Sequence, residues 1–435
     1  MKNYLGCPQC SCGREHNVAI DDVVAGRGVL QRLPEFVAKY RAKKPFILAD
    51  RNTYKAAGAA VEDILQSSGI TFSTYIFQKE ALEPDEWAVG SAFMHFDGSC
   101  DLIIGVGSGV INDIGKILSS VSGRAYIIVC TAPSMDGYAS ATSSMSRDGL
   151  KVSLNSRCAD VIIGDTDIMK QAPEHMLKAG LGDMLAKYIS ILEWRISNLI
   201  TGEYYCERVA QLIRTALKKC VDNAEGLLKR EDAAVEAVFE GLVIGGVAMA
   251  YAGISRPASG VEHYISHVLD MRGMEFGTPV ELHGIQCAVG TLIAVKLYEK
   301  LKSNTPDREK AQRYVNGFDV DAWHKDLRVF LGKAAESMIA LETREKKYDK
   351  DLHKARLEVI LANWQEIQGI IDEELPSSRD LELLMDTVGM PKSLSRIGTE
   401  ESLLPTIFWA TKDIRDKYVL SRLLWDLGLL EELTK

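Results

Sequence analysis

Nothing in this 435-residue chain approaches the roughly 18 consecutive apolar residues of a membrane span, so no membrane partner is expected. An excess of basic charge is also missing. Lys and Arg number 51 against 60 Asp and Glu, and the net charge of −9 argues against a nucleic-acid or anionic-membrane partner. The opening "MKNYLGCPQCSCGREHN" lacks the apolar core of a secretory signal, so none is expected. Internal repeats are absent, and so is the composition of a disordered chain: 46% of residues are hydrophobic and 26% charged. The nine cysteines are an odd number scattered through apolar segments, which excludes a simple disulfide framework. Free thiols in a reducing, cytoplasmic setting are expected instead.

What is present is enough chain for two or three domains. Short β-like apolar runs alternate with helical patterns in the first part. "KPFILAD" (44–50), "FSTYIF" (72–77), "CDLIIGVGSG" (100–109) and "AYIIVC" (125–130) read as strands. "TYKAAGAAVEDILQSSG" (53–69) and "VINDIGKILSSVSG" (110–123) read as helices. This alternation predicts a parallel sheet with helices on both faces. "KVSLN" (151–155) and "ADVIIGD" (159–165) are expected to add a hairpin or an edge. From about residue 170 strand patterns stop and helical periodicity runs nearly to the end. The expected architecture is an α/β domain with a parallel nucleotide-binding sheet over 1–170, followed by an all-α domain over 171–435.

The strand "CDLIIGVG" runs into "GVGSGVINDIGK", with Gly105, Gly107 and Gly109 at a strand-to-helix turn. Glycines there let a backbone approach a phosphate, and the helix start presents N–H groups and a positive dipole end. The pattern is not G-x-G-x-x-G, and no acidic residue follows at the usual distance. Asp50, ending "FILAD", is the ribose candidate, although with Asn52 and Thr53 it reads equally as a helix cap. "TAPSMDGYASATSS" (131–144) sets Thr131, Ser134 and Ser140 after a strand, where open α/β sheets bind ligands, with Asp136 among small residues.

The helical part carries an unusual set. His263 and His267, in "SRPASGVEHYISHVLD", are four apart and so share one helix face. His283 precedes a new apolar helix in "ELHGIQCAVG", and Asp183 lies in "GLGDMLAKY". Three of the eight histidines thus fall within 21 positions. An Asp and two His are a sound ligand set for a divalent transition metal with open positions. A second cluster holds Cys7, Cys10, Cys12 and His16. Cys7 and Cys10 have knuckle spacing, but Cys12 follows too closely and no second CxxC is near, so a plain N-terminal segment is favoured over a structural metal.

Taken in order, "GVGSGVINDIGK", "TAPSMDGYAS", "GLGDMLAKY", "SRPASGVEHYISH", "ELHG" and "LLWDLGLLEE" resemble the iron-containing alcohol dehydrogenase and dehydroquinate synthase-like superfamily. Within it the chain is most similar to the bacterial type of glycerol-1-phosphate dehydrogenases. The resemblance implies a dehydroquinate synthase-like fold, NAD or NADP, and one divalent metal, zinc, nickel or iron, held by Asp183, His263 and His283. It implies substrate contacts from Asp136, Asp183 and His267. Cofactor contacts are implied for Asp50, Gly107, Gly109, Val110, Ile111, Asn112, Asp113, Thr131, Ala132, Pro133, Ser134 and Ser140. A phosphorylated small-molecule substrate and a homodimer are implied as well. Lys116 and Arg256 are candidates for the substrate phosphate, each equally readable as a surface or ion-pair residue. A polyol dehydrogenase on unphosphorylated substrate is the main competing reading, and a dehydroquinate synthase-like lyase a weaker one.

Overall fold

The computed structural model of the chain describes residues 6–7, 9–147 and 150–435. It divides into two compact units. The first holds the chain up to Met184 and again Gln211–Ile254; the second holds Leu185–Ala210 and Ser255–Lys435.

The first unit is built on six parallel strands: β3 (Asp22–Gly26), β4 (Pro45–Asp50), β5 (Ser73–Phe77), β6 (Leu102–Gly107), β7 (Ala125–Cys130) and β10 (Val161–Asp165), in the order β3-β10-β7-β6-β4-β5. Strands covered on both faces read as unbroken apolar runs, and "LIIGVG" and "VIIGD" are buried at every residue. Ile47, Ala49, Ile104, Val106, Ile127, Val129, Val161 and Ile163 form one face, packed with Val61 and Leu65 of the helix Ala59–Ser67 and with Leu33 and Phe36. The helix Asp232–Ala252 lies close enough that a side chain at Gly164 would strike Phe239. That helix is long and apolar enough to cross a membrane by length and composition, yet 72% of its most apolar window is buried inside the protein.

Two smaller pairings complete this unit. Strands β1 (Gly6–Cys7) and β2 (His16–Asn17) pair antiparallel near its start. Strands β8 (Thr142–Arg147) and β9 (Leu150–Asn155) form a separate hairpin. The expected hairpin is present at 151–155, and the expectation for 159–165 is corrected. "KVSLN" pairs with Thr142–Arg147, while "VIIGD" is an internal strand between β3 and β7. A fully apolar run belongs inside a covered sheet, not on an edge.

Beyond β10 every regular element among the described residues is helical. In the second unit Val261–Phe276 ends at Gly277, whose φ of 66° closes the helix. A short link leads to His283–Lys302. The two helices approach closely, since a Cβ at Gly290 would lie 2.8 Å from the Glu262 carbonyl oxygen. Trp194, Ile265, Val289, Leu292, Phe408 and Trp425 are among its buried apolar side chains.

Candidate functional site

In the first unit, the strand order reverses between β4 and β6: the chain goes outward from β4 to β5, then returns to the other side of β4. Ligands of open parallel sheets bind outside the strand C-terminal ends at such a reversal. Asp50 ends β4 and Gly107 ends β6, so both stand there. A Cβ at Gly107 would come within 2.5 Å of the Ile111 Cβ, so this turn admits only glycine. The helix Gly109–Ser122 starts directly after it, and Ser108 at its N-cap makes no side-chain cap bond. Val110 and Ile111 lie in that first turn. Anionic oxygens are the natural complement of such a turn.

The segment after β7 runs alongside. Thr131 donates its N–H to the Gly107 carbonyl at 3.1 Å. The hydroxyls of Ser134 and Ser108 are 2.5 Å apart. Ala132 accepts from the Tyr138 hydroxyl at 2.6 Å, and the Ser140 and Thr142 hydroxyls are 2.9 Å apart. Asp50 caps its helix: Oδ1 accepts from the N–H groups of Asn52 and Thr53, both at 2.8 Å, and Oδ2 takes neither. Asn112 is buried and donates to the Gly137 carbonyl at 3.1 Å, and Asp113 pairs with Lys116 at 2.9 Å.

Asp183 reaches this segment because of Gly180, one turn earlier in Glu174–Leu185. A Cβ at Gly180 would lie 2.8 Å from the Pro133 carbonyl carbon and 2.9 Å from Val238 Cγ1. The helix therefore sits against Pro133, and fully buried Asp183 accepts the Asp136 N–H on Oδ2 at 2.9 Å. Two of the acidic residues singled out in the sequence, Asp136 and Asp183, are brought together.

In the second unit the three histidines converge. His263 and His267 lie on Val261–Phe276, and His283 begins the next helix. The rings of His263 and His283 meet edge to face at 4.9 Å, and His267 stacks on His283 at 5.9 Å. Glu262, fully buried, holds His263 Nδ1 at 2.8 Å, and the Ser266 hydroxyl holds His283 Nδ1 at 2.9 Å. The Glu262 carboxylate accepts from His263 Nδ1 and leaves Nε2 as a lone pair, the usual orientation of a metal-binding imidazole, and the Ser266 hydroxyl is able to hold His283 in the same way. The donor chemistry, with His263 buried and His267 and His283 half-buried, fits a divalent transition metal.

Sequence reading missed Glu262, Ser266 and Cys287. Cys287 is one turn after His283, and its Sγ is 3.6 Å from His283 Nε2. Burial would push this thiol up, but His263 and His283 outweigh it and hold it below the usual thiol range. The i, i+4 spacing that selected His267 would have selected Cys287 too. Behind them, buried Glu193 accepts the N–H groups of Val261 at 2.9 Å and Leu420 at 2.8 Å. Its burial, with the charge of Glu262 second, raises its carboxyl to about 8.

The two phosphate candidates are spoken for. Lys116 is buried and donates to the carbonyls of Gly137 at 3.2 Å and Thr142 at 2.5 Å. Arg256 is buried and clamped by Glu203 at 2.8 Å, the Tyr418 carbonyl at 2.9 Å and Ser197 at 3.0 Å. Both are internal braces, the ion-pair alternative.

Known proteins resemble this chain in sequence and in fold. The sequence signature described as iron-containing alcohol dehydrogenase matches residues 24–173. A glycerol-1-phosphate dehydrogenase (NAD(P)+) of Halalkalibacterium halodurans is 32% identical over 295 residues, covering 67% of this chain and 74% of that protein. A protein of the same name from Bacillus licheniformis is 26% identical over 434 residues, 99% of this chain and 94% of its own. The solved structure of a glycerol dehydrogenase from Schizosaccharomyces pombe superposes with a TM-score of 0.62 at 18% identity, over 95% of this chain and 90% of that one, a likeness of fold.

Proposed function

The chain belongs to the glycerol-1-phosphate dehydrogenases, among the iron-containing alcohol dehydrogenases, and we propose that it reduces dihydroxyacetone phosphate reversibly to sn-glycerol 1-phosphate. The observation that carries this reading is the alignment with an enzyme of that name over 99% of the chain. The convergence of His263, His267 and His283 supports its metal-assisted part.

Asp183, His263 and His283 would hold the divalent metal, whether zinc, nickel or iron. When bound, the metal supplies a positive charge at the carbonyl oxygen and the nicotinamide supplies the hydride. Glu262 and Ser266 fix the two imidazole orientations through their bonds to Nδ1. The Asp136 N–H holds the Asp183 carboxylate in one orientation, and the Asp136 side chain contacts the substrate. His267 delivers a proton to the product oxygen from its ring nitrogen, a task suited to an imidazole near neutral pH. The turn Gly107–Asp113 cradles the cofactor diphosphate, Thr131–Ser134 and Ser140 line it, and Asp50 offers Oδ2 to the ribose. That last contact favours NAD over NADP. The enzyme is cytoplasmic and homodimeric in this reading.

The test compares dihydroxyacetone phosphate with dihydroxyacetone, side by side, with metal-loaded protein and NADH, following loss of reduced nicotinamide absorbance. Strong preference for the phosphate ester supports the proposal. Preference for the free ketone assigns a polyol dehydrogenase. No oxidation with either overturns the reading.

A further inference from the structure

The function above leaves the cysteine-rich start of the first unit unused. Cys10 to Gly13 form a tight turn: the Gly13 N–H bonds the Cys10 carbonyl at 3.0 Å, with Gly13 at φ 80°. The turn feeds β2, which carries His16 into the interior with 0% exposure. The His16 ring stacks on Tyr251 at 5.1 Å, and its Nδ1 lies 3.1 Å from the Tyr251 carbonyl oxygen. Its Nε2 then faces Cys12 Sγ at 3.3 Å. The donor atoms of Cys10, Cys12 and His16 all lie within 4.8 Å of one another.

This arrangement has the marks of a thiolate–imidazole metal site. An imidazole N–H tied to a backbone carbonyl presents its other nitrogen as a ligand. With Zn–S near 2.3 Å and Zn–N near 2.0 Å, two tetrahedral ligands stand about 3.5 Å apart. The Cys12–His16 separation of 3.3 Å is close to that value. What argued against a knuckle was Cys12, too close behind Cys10, and the lack of a second CxxC nearby. The turn instead pairs Cys10 with Cys12, and His16 joins them from the following strand. The side chain of Cys7 lies outside the described residues.

We propose that Cys10, Cys12 and His16 hold a structural zinc ion. Both thiols lose their protons on binding, so two thiolates balance the dication. Structural zinc is four-coordinate, and one further donor completes the set. The ion would lock residues 10–16 onto the end of the helix Asp232–Ala252, where Arg14 also reaches the Ala252 carbonyl at 3.4 Å.

The test counts metal in the full chain after zinc loading and desalting. Wild type is expected to hold two equivalents, His283→Ala one, and the Cys10→Ser/Cys12→Ser double variant one. After cobalt replacement, a sulfur-to-cobalt charge-transfer band should persist in His283→Ala and fall sharply in the double variant. Unchanged metal content in the double variant overturns this proposal, whereas unchanged content in His283→Ala overturns the catalytic-metal reading. Wild type alone gives a check that does not depend on the variants folding. Cys10 and Cys12 are partly exposed, while Cys100, Cys130, Cys158, Cys206, Cys220 and Cys287 are buried. Alkylation of the native zinc-loaded protein, mapped by mass spectrometry, should spare Cys10 and Cys12 until a chelator is added. Immediate labelling of both refutes the site.

Discussion

Gly180→Ala separates a packing constraint from ordinary helix propensity, because the two demand opposite signs. In an open helix position the change to alanine stabilises by about 1 kcal/mol. At Gly180 the new Cβ would sit 2.8 Å from the Pro133 carbonyl carbon and 2.9 Å from Val238 Cγ1. Carbons in good contact are about 3.5–4.0 Å apart and the Pro133 carbonyl oxygen lies closer still, so helix and loop must separate by more than about 1 Å. The obstacle is backbone and cannot swing aside. Overpacking of this kind costs about 1–3 kcal/mol, and weakening the Asp136 N–H bond to Asp183 adds a share of the roughly 1.5–3 kcal/mol of a charged hydrogen bond. After the propensity gain, a net loss of about 1–4 kcal/mol is expected. With an unfolding entropy of about 2.1 cal/mol/K per residue over 435 residues, Tm falls by about 1 °C per kcal/mol, read by calorimetry. Gly369, in Trp364–Glu374 with nothing within 4 Å of its would-be Cβ, is the control. Gly369→Ala should raise Tm slightly. A rise for Gly180→Ala as well would refute the close approach, and with it the account of how Asp183 is placed.

Asp183→Asn and His283→Ala should each lose bound metal and turnover while binding NADH with unchanged affinity in a fluorescence titration; full activity without metal contradicts the mechanism. His267→Ala should retain the metal but raise KM or lower kcat for dihydroxyacetone phosphate, and unaltered kinetics remove its role. Glu262→Gln should weaken metal binding by about 10–100-fold, as loss of an orienting partner does; an unchanged Kd shows that Nδ1 of His263 needs no carboxylate. Glu193 is expected to make stability fall with pH. Its carboxyl rises in the fold from 4.5 to about 8, so the native state holds the extra proton across that window. Its contribution is complete below about 4.5 and lost as pH climbs through about 8. Denaturant curves across this range should show a smaller slope for Glu193→Gln, and equal slopes would contradict the buried, protonated acid.

How far residues speak for themselves depends on whether their signal is local. The buried strands were legible because a covered parallel strand has little choice but to be apolar throughout. The edge strand Asp22–Gly26 was not, being five residues with an acidic start. "ADVIIGD" had a clear strand signal but no partner signal, since apolar runs do not encode their neighbours. The histidines were legible by rarity and helical spacing. Glu262 was not, because a glutamate in the first turn of a helix ordinarily reads as a solvated charge at the dipole's positive end. Only packing against the neighbouring helix reveals it as buried. Lys116 and Arg256 show the converse: a basic residue inside a suggestive motif looks the same in sequence whether it binds an anion or braces carbonyls. The cysteine cluster combines both lessons. Its spacing, with Cys12 close behind Cys10 and no second CxxC, argued for a plain segment. What the spacing could not encode is the partner of His16, the Tyr251 carbonyl 235 positions away. That contact turns Nε2 toward Cys12, and it converts an unpromising run of thiols into a set of donors facing one point.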